Sequence, residues 1–105
     1  MILTGVVASK ASTVDGPARV IRKESQLAEI ERGDVLVIPV ASPDFTPALR
    51  IISAVISEKG GKTAHLANVC REDGIPCIVS VQGAMKIKTG QRLIVDTYSG
   101  TVHVM

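Results

Sequence analysis

The residues best suited to chemistry are Gly60-Gly61-Lys62-Thr63-Ala64-His65. Two glycines free the backbone, a threonine can cap a helix, and a histidine falls on the first helical turn. The apolar run Ala54-Val55-Ile56 precedes them. The pattern is a strand, a glycine-rich turn and a helix that opens with a nucleophile. Such a turn can hold a phosphoryl group on backbone N–H groups at the positive end of a helix. A neutral imidazole there has a lone pair that can attack phosphorus. Thr63 and the flexible cation Lys62 can then hold the phosphate oxygens. By spacing alone a plainer reading also stands. Gly-Gly is a common connection between strand and helix, and a first-turn histidine is often only solvated or capping.

Several elements must position that turn. Residues 2–8 read as one strand. A polar stretch from Ser9 ends in a turn at Asp15-Gly16, and Pro17 to Arg22 alternates as a second strand. Glu24 to Ile30 has helical spacing and stops at Gly33. Val35-Leu36-Val37-Ile38 is the mark of a strand buried on both faces. Ser42-Pro43-Asp44 and Thr46-Pro47 are turn or helix-start signals, followed by a short helix through Ala48, Leu49, Ile51 and Ile52. Ser53 to Ser57 is the strand that leads to Gly60. A helix from about Ala64 to Asp73 ends at Gly74, with Pro76 two residues on. Cys77 to Val81 is a further buried strand, and Gly83 to Ile87 can make one helical turn. Arg92 to Asp96 and Thr101 to Val104 close the chain as a hairpin.

On a wheel of about 100° per residue, Leu66, Val69 and Cys70 share the core stripe. His65, Asn68, Arg71 and Glu72 fall on the other side, so His65 is predicted to be reachable. Asn68 stands one turn along and close enough to touch the imidazole. Arg71-Glu72 also fits an ordinary surface pair. His103 is assigned to an edge strand near the C-terminus and carries no chemical expectation.

Composition narrows the alternatives. The 105 residues are 46% hydrophobic and 2% aromatic, so aliphatic side chains must build the core. That favours one sheet-rich α/β or α+β domain over residues 1–105. A net charge of +2, scattered cations and almost no aromatic residues argue against nucleic acid. No membrane span or signal peptide is expected: Met1 to Ala8 lacks a basic start and is interrupted by Gly5. Cys70 and Cys77 read as small buried hydrophobes of a reduced cytoplasmic protein. Their placement in different elements argues against a disulfide. Two His and two Cys without paired spacing give no metal site. Neither a G-x-x-x-x-G-K-[ST] loop nor an acidic cluster for Mg²⁺ is present, so the chain is not expected to make its own phosphoryl donor.

The core Gly60-Gly61-Lys62-Thr63-Ala64-His65, with Ala67, Arg71-Glu72 and Gly74-Ile75-Pro76, resembles the phosphohistidine swivelling domain of the PEP-utilising enzymes. These include phosphoenolpyruvate synthase, pyruvate phosphate dikinase and enzyme I of the sugar phosphotransferase system. The likeness extends along nearly the whole chain. Gly33-Asp34-Val35-Leu36-Val37 resembles the family's central strand, and Ser42-Pro43-Asp44-Phe45 its Asp-Pro-Asp-Trp segment. Gly90 to Asp96 and Ser99 to Val102 resemble its closing hairpin. Leu66, Asn68 and Cys70 depart from the residues usual there, and Ser9-Lys10-Ala11 replaces a frequent Ser-Pro-Gly.

The resemblance implies a three-layer β/β/α fold and a stand-alone phosphoryl carrier, a phosphotransferase component rather than a complete enzyme. His65 is then the phosphoacceptor, supported by Gly60, Gly61, Lys62, Thr63, Asn68 and Arg71. No cofactor is expected on this chain. Mg²⁺ with ATP or PEP is expected on two partners, an ATP-grasp-type nucleotide-binding protein and a PEP/pyruvate-binding protein. A non-catalytic regulatory module of the same fold, like the extra domain of some bacterial pyruvate kinases, is the alternative. Leu66 and Asn68 lean toward it. Oligomeric state, final acceptor and direction of flux stay open.

Overall fold

The computed structural model describes residues 1–61 and 64–105. Among the described residues, eight strands and one α-helix form in the order β1 (Ile2–Thr4), β2 (Val6–Val7), β3 (Thr13–Val20), β4 (Val35–Val40), β5 (Ala54–Lys59), α1 (His65–Asp73), β6 (Cys77–Val79), β7 (Arg92–Asp96) and β8 (Thr101–Val104). Three 3₁₀ segments, Glu24–Glu29, Pro43–Arg50 and Ala84–Lys86, complete it. The strand order is β1-β8-β7-β3-β4-β5-β6-β2. Strands β1, β8, β7 and the first part of β3 pair antiparallel. From Ala18 to Val20, β3 pairs parallel with β4, followed by β5 and β6 in parallel and β2 antiparallel at the edge.

Side-chain alternation divides the core into two. On β4, Val35 and Val37 face one cluster while Leu36 and Ile38 face the other, all four with no exposed surface. β5 and β6 alternate likewise, with Ile56 and Ile78 on the first side and Val55, Cys77 and Val79 on the second. The first cluster also takes Leu93, Val95, Val102 and Val104 from the antiparallel sheet. The second takes Phe45, Ala48, Leu49, Leu66, Ala67 and Cys70 from the helical layer. The result is sheet on sheet on helices, the three-layer β/β/α fold. Each fully buried aliphatic side chain contributes about 1.5–3 kcal/mol relative to exposure, so the continuous apolar run of β4 serves both interfaces.

The strand expected over residues 2–8 is two strands. A Cβ on Gly5 would lie 2.6 Å from the Val79 carbonyl and 2.5 Å from Val81 Cγ2, so the chain passes there as bare backbone from one sheet to the other. The turn expected at Asp15-Gly16 is not a turn. β3 runs straight through it, and Gly16 pairs with Leu93. Glycine is needed because a Cβ at residue 16 would meet the Gly33 carbonyl at 2.9 Å. Asp15 stays exposed and binds Arg92. His103 is not on an edge, since β8 lies between β1 and β7. β6 stops at Val79, and Ser80 follows with φ +55°. The segments at 24–29 and 43–50 are 3₁₀ rather than α. Pro47 lies inside the second, where it lacks an N–H for the ladder.

Arg19 and Asp34 join β3 to the start of β4. Arg19 Nε donates to Asp34 Oδ2 at 2.8 Å, and the same oxygen accepts from Glu31 N at 2.9 Å. The hydrogen bond to Asp34 raises the Arg19 pKa. Cys70 and Cys77 are buried and free, in α1 and β6 as expected, yet they touch. Their shared hydrogen bond lowers the Cys70 pKa and, with burial, raises that of Cys77. Among the described residues no helix is long and apolar enough to cross a membrane.

Candidate functional site

β5 delivers the chain to the glycine turn, and three donors fix the carbonyls where it leaves. Ser57 Oγ and Ala41 N both donate to the Lys59 carbonyl, at 2.7 and 3.0 Å. Ser80 Oγ donates to the Gly60 carbonyl at 2.8 Å. Gly60 has φ +116°, a region L side chains rarely adopt. A Cβ there would also meet Ala41 Cβ at 2.9 Å. Among the described residues, nothing lies within 4 Å of the corresponding position at Gly61. The two glycines therefore do different work: Gly60 is required by its conformation and its neighbour, and Gly61 is not. Gly60→Ala is expected to cost ~1–3 kcal/mol and Gly61→Ala no more than about 0.5 kcal/mol, read by urea denaturation. Equal costs would contradict this assignment.

α1 begins at His65 with Ala64 as N-cap, a residue whose side chain offers the first-turn amides no hydrogen bond. Ala64 N donates to the Gly61 carbonyl at 3.1 Å and Asn68 N to the Ala64 carbonyl at 3.0 Å. Leu66, Ala67 and Cys70 are buried, whereas His65 is exposed. The helix ends at Gly74 with φ +72°, where Ile75 N closes onto the Cys70 carbonyl. The buried stripe thus fixes the rotation of α1, and with it the outward aim of His65.

His65 lines an open cleft of about 610 Å³ with Pro43, Thr46, Pro47 and Arg50. These four come from the helical segment that crosses from β4 to β5. Its N-cap Ser42 accepts from Asp44 N at 3.2 Å, and Phe45, Ala48 and Leu49 turn into the core. The opposite face, at 43, 46, 47 and 50, is left to the cleft. Arg50 is exposed, and its side chain makes no ion pair or hydrogen bond among the described residues. Among the described residues, Thr46 Oγ1 is buried without a hydrogen-bond partner.

Of the residues expected at the site, Gly60 and Gly61 follow the end of β5 and His65 opens α1. Asn68 and Arg71 share the outer face of α1, where Arg71 Nη1 donates to Asn68 Oδ1 at 2.8 Å. Lys62 and Thr63 lie outside the described residues. Sequence reasoning did not assign Thr46 and Arg50 to the site. The signal available was the 43/46/47/50 spacing opposite buried 45/48/49, but its meaning depends on α1 packing against this segment. Among the described residues, no three His, Cys, Asp or Glu side chains are grouped to hold a metal ion.

A family model described as "PEP-utilising enzyme, mobile domain" matches residues 30–100, which include the turn, α1 and the crossover segment. The phosphoenolpyruvate synthase of Pyrococcus furiosus is 38% identical over 104 residues, covering 98% of this chain and 13% of that protein. A solution structure of an Enzyme I protein matches with a TM-score of 0.63 and 27% identity, over 74% of this chain and 33% of its own. Aconitase X of Thermococcus kodakaraensis matches with a TM-score of 0.71 over 100% of this chain and 98% of the matched one. At 20% identity that likeness is one of fold alone.

Proposed function

We propose, since this chain belongs to the mobile-domain family of the PEP-utilising enzymes, that it carries a phosphoryl group on His65. The observation that supports this most is the exposed imidazole on the first turn of α1, at the wall of an open cleft. A carrier must present its nucleophile to a donor site on another body, so exposure is a requirement. In the forward step a ring nitrogen attacks the phosphorus of PEP. The N–P bond forms as the bond from phosphorus to the enol oxygen breaks, and the enolate leaves with the electron pair and is protonated to pyruvate. The same group is then passed to a nucleotide-bound acceptor, or the two steps run in reverse.

The amides at the start of α1 point at the incoming charge and need no reorganisation to meet it. Gly60 and Gly61 let the backbone approach. Lys62, Thr63, Asn68 and Arg71 are assigned supporting roles around the phosphate. Mg²⁺ and the nucleotide or PEP belong to an ATP-grasp-type partner and a PEP/pyruvate-binding partner, in the same or in a separate chain. Transfer between two such sites requires the carrier to move. Without a tether, surfaces near His65 would have to make up for lost effective concentration. The two free cysteines accord with a cytoplasmic setting. The competing reading, a non-catalytic module, rests on Leu66 and Asn68; the Leu66 side chain is wholly buried, and Asn68 accepts from Arg71.

The test is incubation with radiolabelled PEP, Mg²⁺ and a PEP synthase whose own carrier histidine has been replaced, and separately with a labelled nucleotide donor. Acid-labile label on this chain is expected. No label from either donor, while the mobile domain of a PEP synthase is labelled in parallel, would overturn the reading.

A further inference from the structure

We propose that the Pro43–Arg50 segment supplies the second, anion-binding half of the carrier site, with Arg50 holding the phosphoryl oxygens by charge and Thr46 by its hydroxyl. This rests on the carrier reading of His65. Both residues lie outside the glycine–histidine motif, on a separate element of the chain.

Three observations converge on it. Arg50 and His65 line the same cleft, so a group bonded to the imidazole is within the neighbourhood that a long guanidinium can sweep. Arg50 has no carboxylate or carbonyl partner among the described residues, which leaves its donors available. Its planar fork is suited to two oxygens of one phosphoryl group. Thr46 Oγ1 is the single buried side-chain polar atom without a partner among the described residues. A buried hydroxyl left unpaired is costly, and such groups in native folds call for an explanation. Thr46 also lines the cleft. A turn about χ1, one staggered well to another, exchanges its methyl and hydroxyl and brings the oxygen to the bound phosphate.

The geometry also assigns a division of labour. The α1 amides meet the phosphoryl group from the side of the imidazole, and the crossover segment meets it from across the cleft. Phe45, Ala48 and Leu49 anchor that segment in the core shared with Leu66 and Ala67, so the two walls are held in one packed layer. Arg50 and Thr46 act on the phosphorylated state and not on the resting fold, which separates their effect from a structural one.

The experiment measures the fraction of phosphorylated chain at equilibrium over a series of PEP-to-pyruvate ratios, using the PEP synthase lacking its own carrier histidine. Arg50→Ala is expected to lower the equilibrium constant for phosphorylation about tenfold or more, the effect of losing a charged hydrogen-bond donor. Arg50→Lys should recover part of it. Thr46→Val should lower it about threefold while leaving the unphosphorylated protein as stable as before or more so, because an unpaired hydroxyl is replaced by a methyl. Phosphorus NMR adds a readout that a structural role would not move: the pH at which the bound phosphoryl group takes up its last proton should rise in Arg50→Ala. Wild-type constants in both Arg50→Ala and Thr46→Val, with the wild-type chain fully labelled, would overturn this inference and leave the carrier reading standing. A wild-type chain that takes no label would overturn both.

Discussion

Replacing His65 by alanine should abolish phosphoryl uptake, to below about one part in a thousand of the wild-type rate, because no other group replaces the attacking nitrogen. Stability should change by no more than about 0.5 kcal/mol, as expected for an exposed residue outside the core. The pairing of these results matters. Loss of uptake with an unfolded chain would say nothing of chemistry, whereas loss with an unchanged urea midpoint isolates the imidazole. His65→Asn, which keeps a polar side chain of similar reach, should be as inactive as His65→Ala. Residual uptake in either variant would mean that the phosphate sits elsewhere.

The next residue should behave in the opposite way. Leu66 is buried with no exposed surface and packs in the cluster with Leu36, Ile38, Val55 and Leu49. Leu66→Ala is expected to cost ~2–5 kcal/mol, the sum of lost transfer energy and the cavity left behind. At a temperature where it remains folded, the variant should still take up phosphate, since its side chain faces away from the cleft. A shift below about 0.5 kcal/mol in urea denaturation would show that Leu66 is not a core residue. A folded Leu66→Ala that takes no phosphate would assign it to the site after all. These two results together would divide adjacent positions on α1 into one proposed to react and one that aims it.

Much of this was legible in the sequence where the cause is local. The run Val35 to Ile38 has one reading, a strand covered on both sides, and each of its residues meets a separate cluster. The hairpin at 92–96 and 101–104 follows from alternation around a turn, and α1 from its apolar stripe and the glycine that ends it. What was not legible depends on distant approach. Asp15-Gly16 has the composition of a turn, and only the carbonyl of Gly33 explains why a glycine stands in the middle of a strand. Gly5 interrupts a strand because the backbone and side chains of β6 and Val81 crowd it.

The site shows the same division. The Gly60 turn and the exposure of His65 are written in neighbouring residues. The supports are not: Ser57 and Ser80 hold the turn's carbonyls from two different strand ends. Arg50 reaches the cleft only because β4 and β5 are adjacent and parallel, which places their crossover on the same side as α1. A motif search finds the proposed nucleophile. The wall opposite it appears only once the strands are ordered.

The central claim is that His65 bears the phosphoryl group, and direct localisation tests it most sharply. The labelled chain, kept at neutral to alkaline pH so that the phosphoramidate survives, is digested and fragmented by a method that preserves side-chain phosphate. The account predicts the added phosphate on the imidazole of His65 alone, lost on brief acid treatment. Phosphate found on Thr63, Lys62 or any other residue, with His65 unmodified, would contradict it.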